Sequence, residues 1–251
     1  MRISKYIHSC LLFEHEGEKL LFDPGNYSFI EGHVTPETFR DVSTVVITHS
    51  HADHLALEPL KQILALSGAD VVTNGEVASI LRDEGIAATT IEEGTLTAGA
   101  FTLRAIPTPH EAILADTVPR HTAFLVNDRV LNCGDSFADP LLLFAGIDVL
   151  IMPVMAPFLT EVGVAAFARR MRPRQVIPVH DGYAKDFFVN QRHDNYVRVF
   201  TAMNIQFHKL AEPGAGVTVD EGDGTFRHPS PITLVSPSPT SPTSPTSAPR
   251  R

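Results

Sequence analysis

Cysteine is scarce, with only Cys10 and Cys133 in 251 residues. A small secreted scaffold stapled by disulfides needs more, so a reducing compartment is expected. Long apolar runs are missing too. The short apolar run at residues 10–13 stops at Glu14, which is too little for a signal-peptide core or a membrane span. Positive charge is in deficit, with 20 Lys and Arg against 29 Asp and Glu. That balance aids solubility and disfavours a surface built to grip nucleic-acid backbone. The expectation is a soluble cytoplasmic protein with a small-molecule substrate and neither membrane nor nucleic acid as a partner.

What is present is an ordinary globular composition, 43% apolar and 20% charged, with an unusual 12 histidines. Residues 1–220 are expected to form one domain. Residues 221–251, which end in PSPTSPTSPTSAPRR, cannot bury a core or hold a helix and are expected to form a disordered Pro/Ser/Thr-rich tail.

Alternating or β-branched runs predict strands at 3–8, 10–15, 19–22, 43–48, 71–73, 86–90 and 101–106. Further strands are predicted at 122–126, 130–133, 149–152, 176–179, 205–208 and 216–219. Helical spacing predicts helices at 55–66, 76–83, 160–171 and 186–203. Two halves that each mix strands and helices suggest two packed sheets with helices outside.

The central motif is Thr48-His49-Ser50-His51-Ala52-Asp53-His54, directly after an apolar strand. In an extended segment His49 and His51 project to one side, because side chains alternate with period two. Asp53 and His54 then fall where the chain turns into a helix. Such a string arises by chance in about one chain in a thousand of this size. It suits two neighbouring cations, one for each pair. The bland alternative is a polar loop with Asp53 as a helix N-cap. His110, Asp135 and His180 each follow a predicted strand as well, at loop positions where sites gather over a rigid sheet.

These residues resemble the metallo-β-lactamase superfamily, and within it the compact branch of ascorbate-6-phosphate lactonase-like proteins. Leu21-Phe22-Asp23-Pro24-Gly25 is similar to the first family motif, and His49, His51, Asp53 and His54 match the second. His110, Asp135 and His180 match the third, fourth and fifth, and residues 165–182 also resemble the compact branch. The resemblance runs from the first strands to about Gly182 and is expected to continue to Val219. It implies an α/β fold, a four-layered αβ/βα sandwich. It also implies that His49, His51 and His110 hold one divalent metal ion, that Asp53, His54 and His180 hold a second, and that Asp135 bridges them. Nitrogen and oxygen donors without thiolate suit Zn²⁺ first, then Mn²⁺ or Fe²⁺. The implied chemistry is hydrolysis of an ester, lactone, amide or phosphoester by a water ionised between two cations, with Asp53 or Asp135 relaying a proton.

Around that set, Asp23 is expected either to hydrogen-bond a ligand histidine or simply to make a turn before Pro24-Gly25. Arg120 and His121 are read as an exposed strand start, with contact to substrate as the alternative, and Cys133 as a core residue. His8, His15, His33, His193, His208 and His228 have no spacing that ties them to the cluster and are read as surface or satisfied residues. Asp181, Tyr183 and Lys185 are close enough to His180 to line a pocket. Loops 24–37, 111–120 and 138–158 are where specificity is expected. A nuclease of the same superfamily, a di-iron redox protein and a non-catalytic metal-stabilised module are the competing readings.

Overall fold

The computed structural model describes residues 1–220; the tail expected at 221–251 lies outside the described residues. The first half comprises β1 (Arg2–Lys5), β2 (Leu11–His15), β3 (Glu18–Phe22), β4 (Thr44–Ile47), α1 (Leu57–Ser67), β5 (Asp70–Thr73), α2 (Gly75–Asp83) and β6 (Thr89–Thr90). The second comprises β7 (Gly94–Ala98), β8 (Phe101–Pro109), β9 (Arg120–Val126), β10 (Val130–Asn132), β11 (Val149–Pro153), α3 (Glu161–Met171), β12 (Gln175–Val179), α4 (Asp186–Thr201) and β13 (Gln206–Phe207). The last strand, β14 (Ala215–Thr218), returns to the first half.

Two seven-stranded sheets result, in the orders β14-β1-β2-β3-β4-β5-β6 and β13-β12-β11-β10-β9-β8-β7. Each has three antiparallel pairings followed by three parallel ones. The two halves therefore repeat one pattern. Its consequence for function is that the parallel strands β3, β4, β10, β11 and β12 send loops to the same edge of the sandwich, where ligands gather in open α/β sheets.

Side-chain alternation builds four layers. On β4, Val46 joins the core between the sheets with Phe13, Phe22, Phe124 and Ile151, while Val45 and Ile47 face Leu60 and Ile63 of α1. On β11, Val149 and Ile151 face inward, while Leu150 and Met152 pack with Val164, Phe167, Tyr196 and Phe200 of α3 and α4. A strand buried on both faces must be largely apolar, as both of these are. Full burial of each such side chain contributes about 1.5–3 kcal/mol. The expected αβ/βα sandwich is the observed architecture.

Local signals set the helix ends. The Asn74 side chain accepts the Val77 N–H at the start of α2, and Thr160 accepts the Gly163 N–H at the start of α3. Arg172, left-handed at φ 48°, closes α3 just before Pro173. The strand β7 was absent from the sequence reading; it is short, lies at a sheet edge and is mostly exposed. No helix among the described residues is long and apolar enough to cross a membrane.

Candidate metal centre

The site begins at the end of β3. Asp23 adopts a left-handed φ of 44° and turns its carboxylate beneath the next strand. Its Oδ1 accepts the Thr48 N–H at 2.8 Å, and its Oδ2 accepts the Thr48 hydroxyl at 2.8 Å. The same Oδ2 accepts the His54 Nδ1–H at 2.9 Å. Of the two readings of Asp23, the one that fixes a histidine is the one observed.

The Asp-Pro-Gly turn then clamps the histidine loop. Asn26 N–H donates to the Ala52 carbonyl at 2.8 Å, and a Cβ on Gly25 would lie 1.8 Å from the Asp53 carbonyl oxygen. Only glycine permits that approach. Within the loop, the N–H groups of His54 and Leu55 both donate to the His51 carbonyl, which makes a tight turn ahead of α1. The helix starts at Leu57 with Ala56 as its N-cap and no side-chain cap, so Asp53 is not spent on capping.

The seven residues singled out by motif come together. His49, His51, His110 and Asp135 form one group, and Asp53, His54 and His180 form a second with His8; within each group one donor atom per residue lies within 4.8 Å of all the others. Asp135 faces both. Its Oδ2 is 3.8 Å from His49 Nε2, 3.4 Å from His110 Nε2, 3.5 Å from His54 Nε2 and 3.1 Å from His180 Nε2.

The outer nitrogens of four of these rings are tied down. His54 Nδ1 donates to Asp23, His110 Nδ1 to the Glu111 carbonyl at 2.6 Å, and His180 Nδ1 to the Met155 carbonyl at 2.7 Å. Thr48 gives its only hydroxyl proton to Asp23, so its oxygen is left to accept from His49 Nδ1 at 3.0 Å. A proton on each Nδ1 leaves an Nε2 lone pair directed inward, the tautomer that binds metal.

Some of these inward-facing atoms lack a hydrogen-bond partner. His54 Nε2, His110 Nε2 and Asp135 Oδ1 are buried with no hydrogen bond. Such atoms are costly unless something else satisfies them. Divalent cations fit the donor set: neutral imidazoles, two carboxylates and no thiolate. Cys133 sits in the core behind α3, as expected.

The electrostatics agree. Burial would raise the Asp135 pKa, but His180 and His54 hold its carboxyl well below the usual range. Burial would depress His180, yet the Asp135 carboxylate outweighs it and the ring is pushed up to about 9. A field that draws a proton to those nitrogens draws a divalent cation to the same place.

Two histidines correct the sequence reading. His8, read as a surface or satisfied residue near the end of a strand, lies beyond β1 in a turn where Ile7 and His8 are both left-handed, at φ 62° and 56°. It is buried, with Nε2 3.1 Å from Asp53 Oδ2. His121, read as an exposed strand start, is only 3% exposed. Its Nε2 accepts the Asp135 N–H at 3.0 Å, and its Nδ1 donates to Thr108 at 2.8 Å. The available hints were Gly134, where an added Cβ would meet His121 Nε2 at 2.3 Å, and the apolar run at residues 123–126, on a strand buried from His121 onward. His193 is also buried, beside Asp181. Arg120 is exposed as expected, and pairs with Glu92 at 2.8 Å.

Comparison with known proteins follows the same lines. Residues 2–180 match the family model described as a beta-lactamase superfamily domain. The Mycobacterium tuberculosis protein Rv0786c is 29% identical over 72% of this chain and 84% of its own length. A protein of Pyrococcus abyssi named as a metal-dependent hydrolase is 25% identical over 70% of this chain and 83% of its own. Among solved structures, Igni18, a metallo hydrolase of Ignicoccus hospitalis, superposes with a TM-score of 0.67 at 21% identity, covering 87% of this chain and 98% of that one. The metallo-beta-lactamase fold protein YhfI of Bacillus subtilis gives 0.63 at 18% identity, covering 86% and 98%. The two structural likenesses concern the fold.

Proposed function

This chain belongs to the beta-lactamase superfamily domain family, in the company of metal-dependent hydrolases, and we propose that it is a binuclear enzyme hydrolysing small ester, lactone, amide or phosphoester substrates. It is a metal-dependent hydrolase of the superfamily. In the proposed centre His49, His51 and His110 hold one cation, Asp53, His54 and His180 the other, and Asp135 serves both.

The observation that carries this reading is the position of Asp135. One buried carboxylate oxygen within 3.1–3.8 Å of four imidazole nitrogens from both groups is arranged to be shared. Bound there, a pair of divalent cations would lower the pKa of a shared water towards neutrality and polarise the scissile bond. Zn²⁺ is the first candidate, with Mn²⁺ or Fe²⁺ as alternatives.

The chain's own groups would do the rest. Asp23, Glu111, Met155 and Thr48 fix the ring tautomers through the bonds described above, so the donors need no rearrangement when a metal enters. Asp53 has a side chain 20% exposed, against 2% for Asp135, which makes it the carboxylate at the mouth and the one suited to pass a proton outward. Phe158 packs at 5.5 Å from His110 and 5.7 Å from His180, an apolar wall over both groups that limits water.

The test is elemental analysis of the purified protein, followed by assay of the zinc-loaded enzyme on ester, lactone, amide and phosphodiester panels. Two metal ions per chain and hydrolysis in at least one panel are expected, with both reduced in Asp135→Asn. An Asp135→Asn protein with full occupancy and full turnover overturns the bridging role.

A further inference from the structure

Beside the second group of donors lies a cavity of about 1290 Å³, between the loop at residues 24–37 and the start of α4. Its inner end touches the site. The Tyr27 ring is 4.9 Å from His8, the Tyr183 ring is 6.0 Å from His180, and the two tyrosine rings are 6.2 Å apart. Its outer flank carries Ile30 and Phe187, which are 71% and 72% exposed. Two large apolar side chains left in water beside the site, lining the same cavity as two aromatic ones, mark a place for apolar surface to bind.

The charges around the cavity restrict its occupant further. Lys5 is neutralised by Asp181, at 2.6 Å and buried. The remaining charged lining residues are Glu31, Asp186 and Glu212 against Lys185, with His33 beside Glu31 at 3.7 Å. Acids outnumber bases, so an anionic group bound here would meet net repulsion. Tyr183 adds no charge, since a phenol is neutral at physiological pH.

We propose that this groove binds the uncharged apolar part, aryl or alkyl, of a carboxylic ester, lactone or amide whose carbonyl lies at the metal centre. The proposal rests on the hydrolase reading for the chemistry. The groove's preference for a neutral apolar ligand stands on its own observations.

Binding is measured with a non-hydrolysable probe, 4-phenyl-2-butanone, titrated calorimetrically into the zinc-loaded full chain. The chain has no tryptophan and four tyrosines, so tyrosine emission, with Tyr27 and Tyr183 contributing, is a second readout at the same place. The double variant Ile30→Ala/Phe187→Ala should raise Kd at least tenfold while circular dichroism and metal content stay those of the parent, because both side chains are exposed. The ring-sulfonated ketone should bind the parent at least tenfold more weakly. No measurable binding of the ketone, an unchanged Kd in the double variant, or equal binding of the sulfonated probe overturns the proposal. Assay of phenyl butyrate in parallel separates the two readings. No hydrolysis together with the expected binding pattern would leave the groove standing without the hydrolase. Hydrolysis with the same KM in parent and double variant would leave the hydrolase without the groove.

Discussion

The His8 ring sits between Asp53 and Gly182, with Nε2 3.1 Å from the Asp53 carboxylate and Nδ1 accepting the Gly182 N–H at 3.1 Å. A ring nitrogen that accepts an N–H carries no proton, so in the neutral ring Nε2 carries it and donates to Asp53. His8 is thus placed to orient the Asp53 carboxylate proposed to hold metal. It is held there at a cost, since two successive left-handed residues, one of them β-branched, are strained by about 1–2 kcal/mol each. His8→Ala should weaken the second metal site by about 10–100-fold and leave the first near its parental affinity. Zinc titration with a competing chelator reads both constants. Parental affinity at both sites in the variant would refute the role.

Asp23 binds Thr48 and His54 through the same carboxylate oxygen. The Thr48 N–H uses the other oxygen, so an asparagine amide must set its N–H₂ either against that N–H or, flipped, against the Thr48 hydroxyl and His54 Nδ1. Asp23→Asn should therefore loosen the His54 tautomer and cost about 10–100-fold in metal affinity or activity. Metal stoichiometry at limiting zinc and kcat measured at saturating zinc distinguish lost affinity from a misaligned site.

Lys5 and Asp181 form a buried ion pair at 2.6 Å, with His193 at 3.2 Å from the same carboxylate. Burial would raise the Asp181 pKa, but the Lys5 ammonium and His193 hold it well below the usual range. A carboxyl depressed on folding contributes stability that is complete above its unfolded value, about 3.9, and is lost as pH falls below it toward the folded value. Lys5→Met should cost about 3–5 kcal/mol at pH 7, because it strands a buried charge. It should also flatten the fall in stability below about pH 4. Urea unfolding across pH 3–7 checks both, and Lys5→Met/Asp181→Leu should recover most of the loss at pH 7.

Metal removal gives a test of stability as well as of activity. A ligand at a thousand times its Kd stabilises the folded state by about 4 kcal/mol, and each kcal/mol moves the midpoint of a domain this size by about 2–4 °C. Zinc added to chelator-treated protein should raise the unfolding midpoint by about 8–16 °C. Asp135→Asn should show a much smaller rise. A midpoint indifferent to both zinc and chelator would count against a metal centre altogether.

Much of this was legible in the chain, for reasons tied to particular residues. His49, His51, Asp53 and His54 are close in sequence, so their proximity in space is local geometry at the end of β4. His110, Asp135 and His180 were legible because each follows a strand whose apolar pattern announces it. His8 and His121 were not. Neither belongs to a short motif, and each acts through a partner far along the chain, 45 residues away for Asp53 and 14 for Asp135.

Residue type and spacing pointed to two packed sheets and to the His49–His54 cluster, because alternation and local motifs are properties of the linear chain, and the family resemblance added the full set of seven sulfur-free donors. Tertiary structure alone decided which nitrogen of each ring points inward, which histidines support the site, and where the apolar groove opens. Those depend on hydrogen bonds and packing between segments up to 174 residues apart, as between His8 and Gly182. Such contacts exist only once the two sheets have closed on each other.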